Sequence, residues 1–494
     1  MITPVAKVKP AVLSYSSDFG TPVSIFHKLS ETEKNAFLFE STEGDGRLAR
    51  FSFIGIDPVL TVRIDEGRAI LTRKEEKSTQ TVDVQNPVLL LKQVLDQYIE
   101  ALKERLIDDF DLLVSKSLPG MSDLPFVGGL VGYMGYGAVS YLEKIPRQAS
   151  NPLAVPEGHY GLYDTVIVFD HQYRRLTIVS HRGEAHAHSV LEAALKPSPL
   201  PPLALTNRRL SEEEIFANVK GPFTKESFEG AVRQAKEYIY EGQVFQIVLS
   251  QRFSMPASAS AIDIYRMLQS TNPSPYAYFL KCDDFVYVGS SPETFVRCQD
   301  GKVSLRAIAG TRHRGATAQE DARLAEELRA NEKEMAEHRM LVDLGRNDLG
   351  RICRPGTVKV GELACLTKYT HVMHLATEIT SDLTSRHSCF DAFQSCFPAG
   401  TVSGAPKVRA MQLLAHLEPE RRGVYSGAVG YFDMFGNMDG AIAIRSTLLK
   451  GGMAHVNAGA GIVFDSDPTM EYDETRNKAK SLIQAIKLAE GGGQ

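Results

Sequence analysis

The sequence contains no tryptophan, and its 494 residues include only six cysteines. Cys282, Cys298, Cys353, Cys365, Cys389 and Cys396 form no CxxC pair, so neither a zinc cluster nor a dithiol redox motif is readable. Reduced thiols packed inside the fold are expected. A basic excess is also missing: 55 Lys plus Arg stand against 60 Asp plus Glu, a net charge of -5. Nucleic acid is therefore not an expected partner. No apolar run, the glycine-rich FVGGLVGYMGYGAV included, approaches the roughly 18 residues that cross a bilayer, and MITPVAKVKP has no apolar signal core. A cytoplasmic protein without membrane attachment is expected.

What is present is a globular composition, 43% hydrophobic and 23% charged. At roughly 150 residues per domain the chain has room for two or three domains. Pro197, Pro199, Pro201 and Pro202, followed by the polar stretch TNRRLSEEE, mark a boundary near residue 205. This predicts an N-terminal domain over 1–205 and a C-terminal domain over 206–494. In the first, NAFLFES and RFSFIG read as strands around a Glu43-Gly44-Asp45-Gly46 turn, which sets Ser41 roughly opposite Ser52. In the second, Phe228, Val232, Ala235 and Ile239 recur at helical spacing until Gly242. The strand VFQIVLSQRF follows, with Phe245, Ile247 and Leu249 on its apolar side and Gln246 on the other. Further helices are predicted over about 318 to 345 and 468 to 489. No repeat of about 20 to 50 residues is evident.

Two carboxylate pairs stand out. Glu334 and Glu337 share a helix side with Ala330 and Leu341, and a solvated face would explain that pair alone. The second pair lies in a helix that Asp467 caps and Pro468 opens, where Glu471, Glu474 and Lys478 share the face continued by Leu482. Carboxylates at a buried edge need a counterion, and a cysteine-free oxygen set suits a hard cation such as Mg²⁺. The loops GTRHRG, GTVSGAPK, YSGAVGYF and AGAGIVFD match no nucleotide-binding pattern and read equally as tight turns. Arg445, a cation in the apolar strand AIAIRS, is either a paired core charge or an anion contact. His374 in THVMHL is either a core histidine or an acid-base group.

Read together, EMAEHRMLVDLGRNDLGRI, YTHVMHL, GTVSGAPKVRAM, YSGAVGYF, AIAIR, NAGAGIVFDSDP and EYDETRNKAK resemble the chorismate-utilising enzymes, and most of all the large subunits of anthranilate synthase. The motifs keep the family order over about 224 to 488, and LFES, Ser52 and NPSPY extend the likeness toward the N-terminus. The resemblance implies an α+β fold of two packed, roughly orthogonal antiparallel sheets flanked by helices, with an N-terminal regulatory subdomain. It implies conversion of chorismate and ammonia to anthranilate and pyruvate through aminodeoxyisochorismate, the first committed step of tryptophan biosynthesis, with Mg²⁺ as cofactor.

The resemblance also assigns roles. Glu337 and Glu474 would bind Mg²⁺ directly, while Glu334 and Glu471 hold its waters. Gly310, Thr311, Thr401, Tyr425, Arg445, Gly459, Ala460, Gly461 and Lys478 would contact the substrate. Glu293 in SSPET takes the place of the general acid, and His374 that of the base for pyruvate loss. Gln246 stands where water-using relatives carry a lysine base, and Ala309 where the folate-pathway aminodeoxychorismate synthases carry a lysine nucleophile. Leu38, Glu40, Ser41, Ser52, Pro275, Tyr276 and Ala277 match a tryptophan feedback site. The sequence offers no glutamine-hydrolysing elbow, so a separate glutamine amidotransferase subunit is implied, in a hetero-oligomer of the heterotetramer type. Aminodeoxychorismate synthase and a non-catalytic tryptophan-binding relative are the competing readings.

Overall fold

A computed structural model describes residues 8–41, 50–74, 76–106, 110–148, 150–197, 200–204, 210–368 and 372–491. The expected Glu43 to Gly46 turn, the domain boundary at 205 and the start of the YTHVMHL motif, Tyr369 to His371, lie outside the described residues. Among those described, the chain folds into an eleven-stranded and a twelve-stranded antiparallel sheet with helices packed around them. This is the α+β architecture the resemblance implies. No helix is long and apolar enough to cross a membrane among the described residues, and all six cysteines are free.

Each sheet draws strands from both sides of residue 205. In the first, Asn35–Glu40 pairs with Tyr276–Cys282; in the second, Gly129–Met134 pairs with Ala428–Asp433. The core between the sheets is continuous across that point, with Phe37, Tyr133 and Phe126 packed in one cluster with Tyr287, Val296 and Phe432. A second apolar layer, including Phe26, Ile264, Tyr265, Leu482 and Ile486, buries the outer face of the first sheet under helices.

Three helix starts position the site. Thr224 and Ser227 form a capping box on Lys225–Tyr240, which buries Phe228, Val232 and Ala235, as the spacing predicts. Gly242, at φ +75°, stops the chain just beyond. The single helix expected over 318 to 345 is instead two, Ala318–Ala330 and Glu332–Gly350. Asn331 causes the break: its side chain accepts the Glu334 N–H at 3.0 Å and so caps the second helix. Asp467 caps Pro468–Gly491 through the N–H groups of Thr469 and Met470. The strand Gln246–Pro256 forms as expected with Ile247 and Leu249 fully buried, but Phe245 precedes it and is 72% exposed.

Candidate active site

Both carboxylate pairs occupy the opening turns of their helices, and the fold brings those turns to one cavity of about 830 Å³. Glu334, Glu337, Glu471 and Glu474 line one side of it. Glu293, Gly310, Thr311, His374, Thr401, Tyr425, Arg445 and Lys478 line the rest. Of the substrate-shell residues expected, only Ala460 is missing. It alternates with Gly459 and Gly461 on the strand Met453–Ile462, so they face the cavity while its methyl packs behind them with Leu249.

The cations and carboxylates are interlocked. Gln246 Nε2 donates to Glu337 Oε1 at 3.0 Å. Lys478 Nζ pairs with Glu474 at 2.6 Å and donates to the Gly459 carbonyl at 3.0 Å. Arg445 Nη1 donates to the Lys478 carbonyl at 3.0 Å, and Arg312, absent from the sequence reading, pairs with Glu334 at 3.3 Å. Arg445 sits at φ +51° and Ser426 at φ +65°, left-handed conformations uncommon for residues with a side chain. A Cβ on Gly461 would lie 2.8 Å from Gln246 Nε2, so a larger residue there would displace the amide.

Electrostatics divide the titratable groups. Burial raises the Glu293 carboxyl above its ordinary range; Thr401, Lys478 and Arg445 oppose the rise, and Glu337 adds to it. Burial also raises Glu337, against the Gln246 hydrogen bond and with help from Glu334. It lowers His374 below its ordinary value, partly offset by the Gly310 carbonyl. His374 Nδ1 lies 3.0 Å from Thr311 Oγ1 and 3.2 Å from that carbonyl, which can only accept; the tautomer that donates from Nδ1 to it leaves the lone pair on Nε2.

The four carboxylates present the hard oxygen donors that Mg²⁺ prefers, and the buried Glu471 Oε2 has no hydrogen-bond partner. In chemistry this set fits the cation. As they stand, no three acidic, cysteine or histidine side chains among the described residues converge on one point that could hold a metal.

A second cavity of about 520 Å³ lies between the sheets, lined by Glu40, Ser41, Pro275, Tyr276 and Ala277 of the expected tryptophan site. Phe39, Phe51, Phe53, Arg297, Tyr431 and Asp439, which the sequence reading missed, complete it. Leu38 and Ser52 do not line it. Pairing of Leu38 with Ile54 and Phe39 with Phe53 carries Ser52 to a place across from Glu40, one residue off the expected partner Ser41. Leu38 therefore joins the outer apolar layer, and Ser52 hydrogen-bonds His171 at 2.7 Å. Tyr276 Oη donates to Asp439 at 3.0 Å and lies 3.0 Å from Thr294 Oγ1, the residue after Glu293. One peptide thus separates a contact of the second cavity from a wall of the first.

Fold and site together define a chorismate-handling enzyme, and the chain belongs to the chorismate binding enzyme family, which matches residues 29–484. Over its full length it is similar to proteins named anthranilate synthase component 1. That of Pseudomonas putida is 40% identical over 97% of this chain and 96% of its own, and that of Aquifex aeolicus 40% identical over 96% and 93%. Among solved structures, anthranilate synthase component I from Streptococcus pneumoniae superposes with a TM-score of 0.73 at 36% identity, covering 89% of this chain and 95% of that one. The menaquinone-specific isochorismate synthase of Escherichia coli shares the fold at a TM-score of 0.68 and 20% identity, over 97% of this chain and 95% of that one.

Proposed function

We propose that the chain is the chorismate-converting component of an anthranilate synthase, making anthranilate and pyruvate from chorismate and ammonia. The observation that carries this reading is the meeting in one cavity of Glu293, His374, Arg445, Lys478 and both glutamate pairs, with Gln246 and Ala309 at the positions where relatives of other chemistry carry lysine. Arg445 and Lys478 are suited to the carboxylates of chorismate. Glu337 and Glu474, backed by Glu334 and Glu471, would hold Mg²⁺, which neutralises the ring carboxylate when bound.

Glu293, whose protonated form burial favours, protonates the C4 hydroxyl as it departs as water, while ammonia adds at C2. His374, held neutral, then accepts the C2 proton at Nε2 as the ring becomes aromatic and the enolpyruvyl group leaves as pyruvate. No side chain needs to activate ammonia, which is consistent with an amide at Gln246. The second cavity takes tryptophan as feedback inhibitor, its indole against Phe39, Phe51 and Phe53, with Tyr276 and Thr294 linking it to Glu293.

Incubation with chorismate, Mg²⁺ and an ammonium salt, followed by chromatography, tests the reading. Anthranilate and pyruvate in equal amounts are expected. Accumulation of an aminodeoxychorismate without pyruvate would overturn it in favour of the folate-pathway chemistry.

A further inference from the structure

Two of the motifs that carry the family resemblance hold a charged residue that the proposed chemistry leaves unused: Asp348 in EMAEHRMLVDLGRNDLGRI and Lys407 in GTVSGAPKVRAM. The fold joins them. Lys407 Nζ lies 2.7 Å from Asp348 Oδ2 and donates to the Cys396 carbonyl at 3.1 Å, and the two side chains are 11% and 9% exposed. Desolvation consumes most of the attraction in such a pair, so its place says more than its strength. At spacings of three and four residues, Glu337, Leu341, Leu344, Gly345 and Asp348 follow one another along one face of the helix Glu332–Gly350. Glu337 and Leu341 line the catalytic cavity; Leu341, Leu344, Gly345 and Asp348 line a smaller chamber of about 50 Å³, partly open to solvent. Glu293, Leu341 and Thr401 line both spaces and so form the wall between them.

On the reading above, each turnover takes one proton out of that wall. Glu293 gives it to the C4 oxygen as the C4–O bond breaks and water departs; the C2–N bond forms, and the ammonium adduct passes one proton to solvent. Chorismate and ammonia thus become aminodeoxyisochorismate and water, and Glu293 is left a carboxylate in a site where burial favours its protonated form. The intermediate still occupies the cavity side, where His374 acts on it next, so the chamber is the open approach to Glu293. A space of about 50 Å³ takes roughly one or two waters. Polar groups border it: Thr401 Oγ1 in the wall is buried and makes no full hydrogen bond, and Asp348 keeps Oδ1 for a water because Lys407 engages Oδ2. Burial raises the Asp348 carboxyl too, against Lys407 and Arg351, and Arg306 is the other charged residue that lines the chamber.

We propose that Asp348, held by Lys407, is a positioning residue for proton return: it orients water in the chamber so that a solvent proton reaches Glu293 from the side away from the substrate. The proposal rests on the anthranilate synthase reading and adds how its acid is recharged.

Asp348→Asn alone leaves the Lys407 ammonium buried without its anion, so Asp348→Asn/Lys407→Gln, which removes both charges, is measured beside it and decides the matter where the single variant does not fold. Rapid-quench mixing with chorismate, Mg²⁺ and an ammonium salt follows the first turnover, before which Glu293 has had time to take up its proton, and those after it. Both variants are expected to consume about one equivalent of chorismate per site within about threefold of the wild-type rate and then to slow at least ~10-fold, with KM for chorismate within about threefold. Aminodeoxyisochorismate supplied as substrate should release pyruvate within about threefold of the wild-type rate, since that step draws on His374 and not on the Glu293 proton. A pair that merely clasps the two motifs together would slow the first turnover, the later turnovers and the supplied intermediate alike, and that result would overturn the proposal. Steady turnover within about threefold of wild type in the double variant would overturn it as well. Wild type that leaves chorismate unchanged would bring down the anthranilate synthase reading, and proton return with it, an outcome distinct from the other two.

Discussion

Arg422 and Glu418 form a buried ion pair behind the cavity wall, with side chains 1% and 4% exposed. The guanidinium clasps Glu418 at 2.6 and 2.8 Å and donates to the carbonyls of Val248 and Val402, each at 2.7 Å, and to Ser426 Oγ at 3.1 Å. Glu418 Oε1 also accepts the Ser250 N–H and hydroxyl at 2.8 and 2.9 Å. The pair thus ties together the Gln246 strand, the Thr401 turn and the left-handed turn after Tyr425. Arg422→Met strands Glu418 in a dry site, at a cost of about 3–5 kcal/mol. At about 2.1 cal/mol/K per residue, the unfolding entropy of 494 residues is about 1 kcal/mol/K, so the midpoint should fall by about 3–5 °C. Replacing both, Glu418→Met with Arg422→Met, removes the stranded charge but leaves the Ser250 N–H and hydroxyl without their acceptor, so it should restore only part of the melting temperature. It does not restore the three lost donors, so kcat/KM for chorismate should stay at least ~10-fold down. Calorimetric melts and anthranilate kinetics on the two variants decide it. A single variant that melts within about 1 °C of wild type, or a double variant with full activity, would refute the argument.

Gly461→Ala should displace the Gln246 amide and break its bond to Glu337, lowering kcat/KM by about 10- to 150-fold, the worth of about 1.5–3 kcal/mol, with little change in melting; normal kinetics would show that this bond is not needed. His374→Met should consume chorismate and accumulate aminodeoxyisochorismate, visible by chromatography, and normal anthranilate output would remove His374 from the second step. In the wild type, burial lowers His374 below the ordinary imidazole value near 6.5, so the neutral base persists at and below neutral pH. The acid limb of the second step alone, pyruvate release from aminodeoxyisochorismate supplied as substrate, should therefore lie below pH 6.5, and a limb above it would contradict that assignment. Glu474→Gln alters a half-exposed carboxylate and should abolish turnover without lowering the melting temperature; undiminished Mg²⁺-dependent activity would exclude it as a ligand.

Much of the site is legible in the sequence because its signals are local. A cap followed by carboxylates at helical spacing places Glu471, Glu474 and Lys478 on one face, whereas Ala460, expected among the contacts with Gly459 and Gly461, turns its methyl onto Leu249 instead. Other features depend on partners far along the chain. Glu418 and Arg422 belong to no motif singled out in the sequence, and their role shows only once Ser250, Val248 and Val402 are packed against them. Arg312 pairs with Glu334 only because Asn331 breaks the helix that periodicity alone would run through. Phe245 continues an apolar alternation in sequence, but its strand begins one residue later, and that leaves it on the surface. Sheet order is likewise invisible locally, since Asn35–Glu40 finds its neighbour at Tyr276–Cys282.

The most direct measurement is anthranilate fluorescence from the purified chain with chorismate, Mg²⁺ and an ammonium salt at mildly alkaline pH, each with and without EDTA and tryptophan. Steady fluorescence growth, abolished by EDTA and suppressed by tryptophan, is the predicted result. Chorismate consumed without fluorescence, or not consumed at all, would contradict the account.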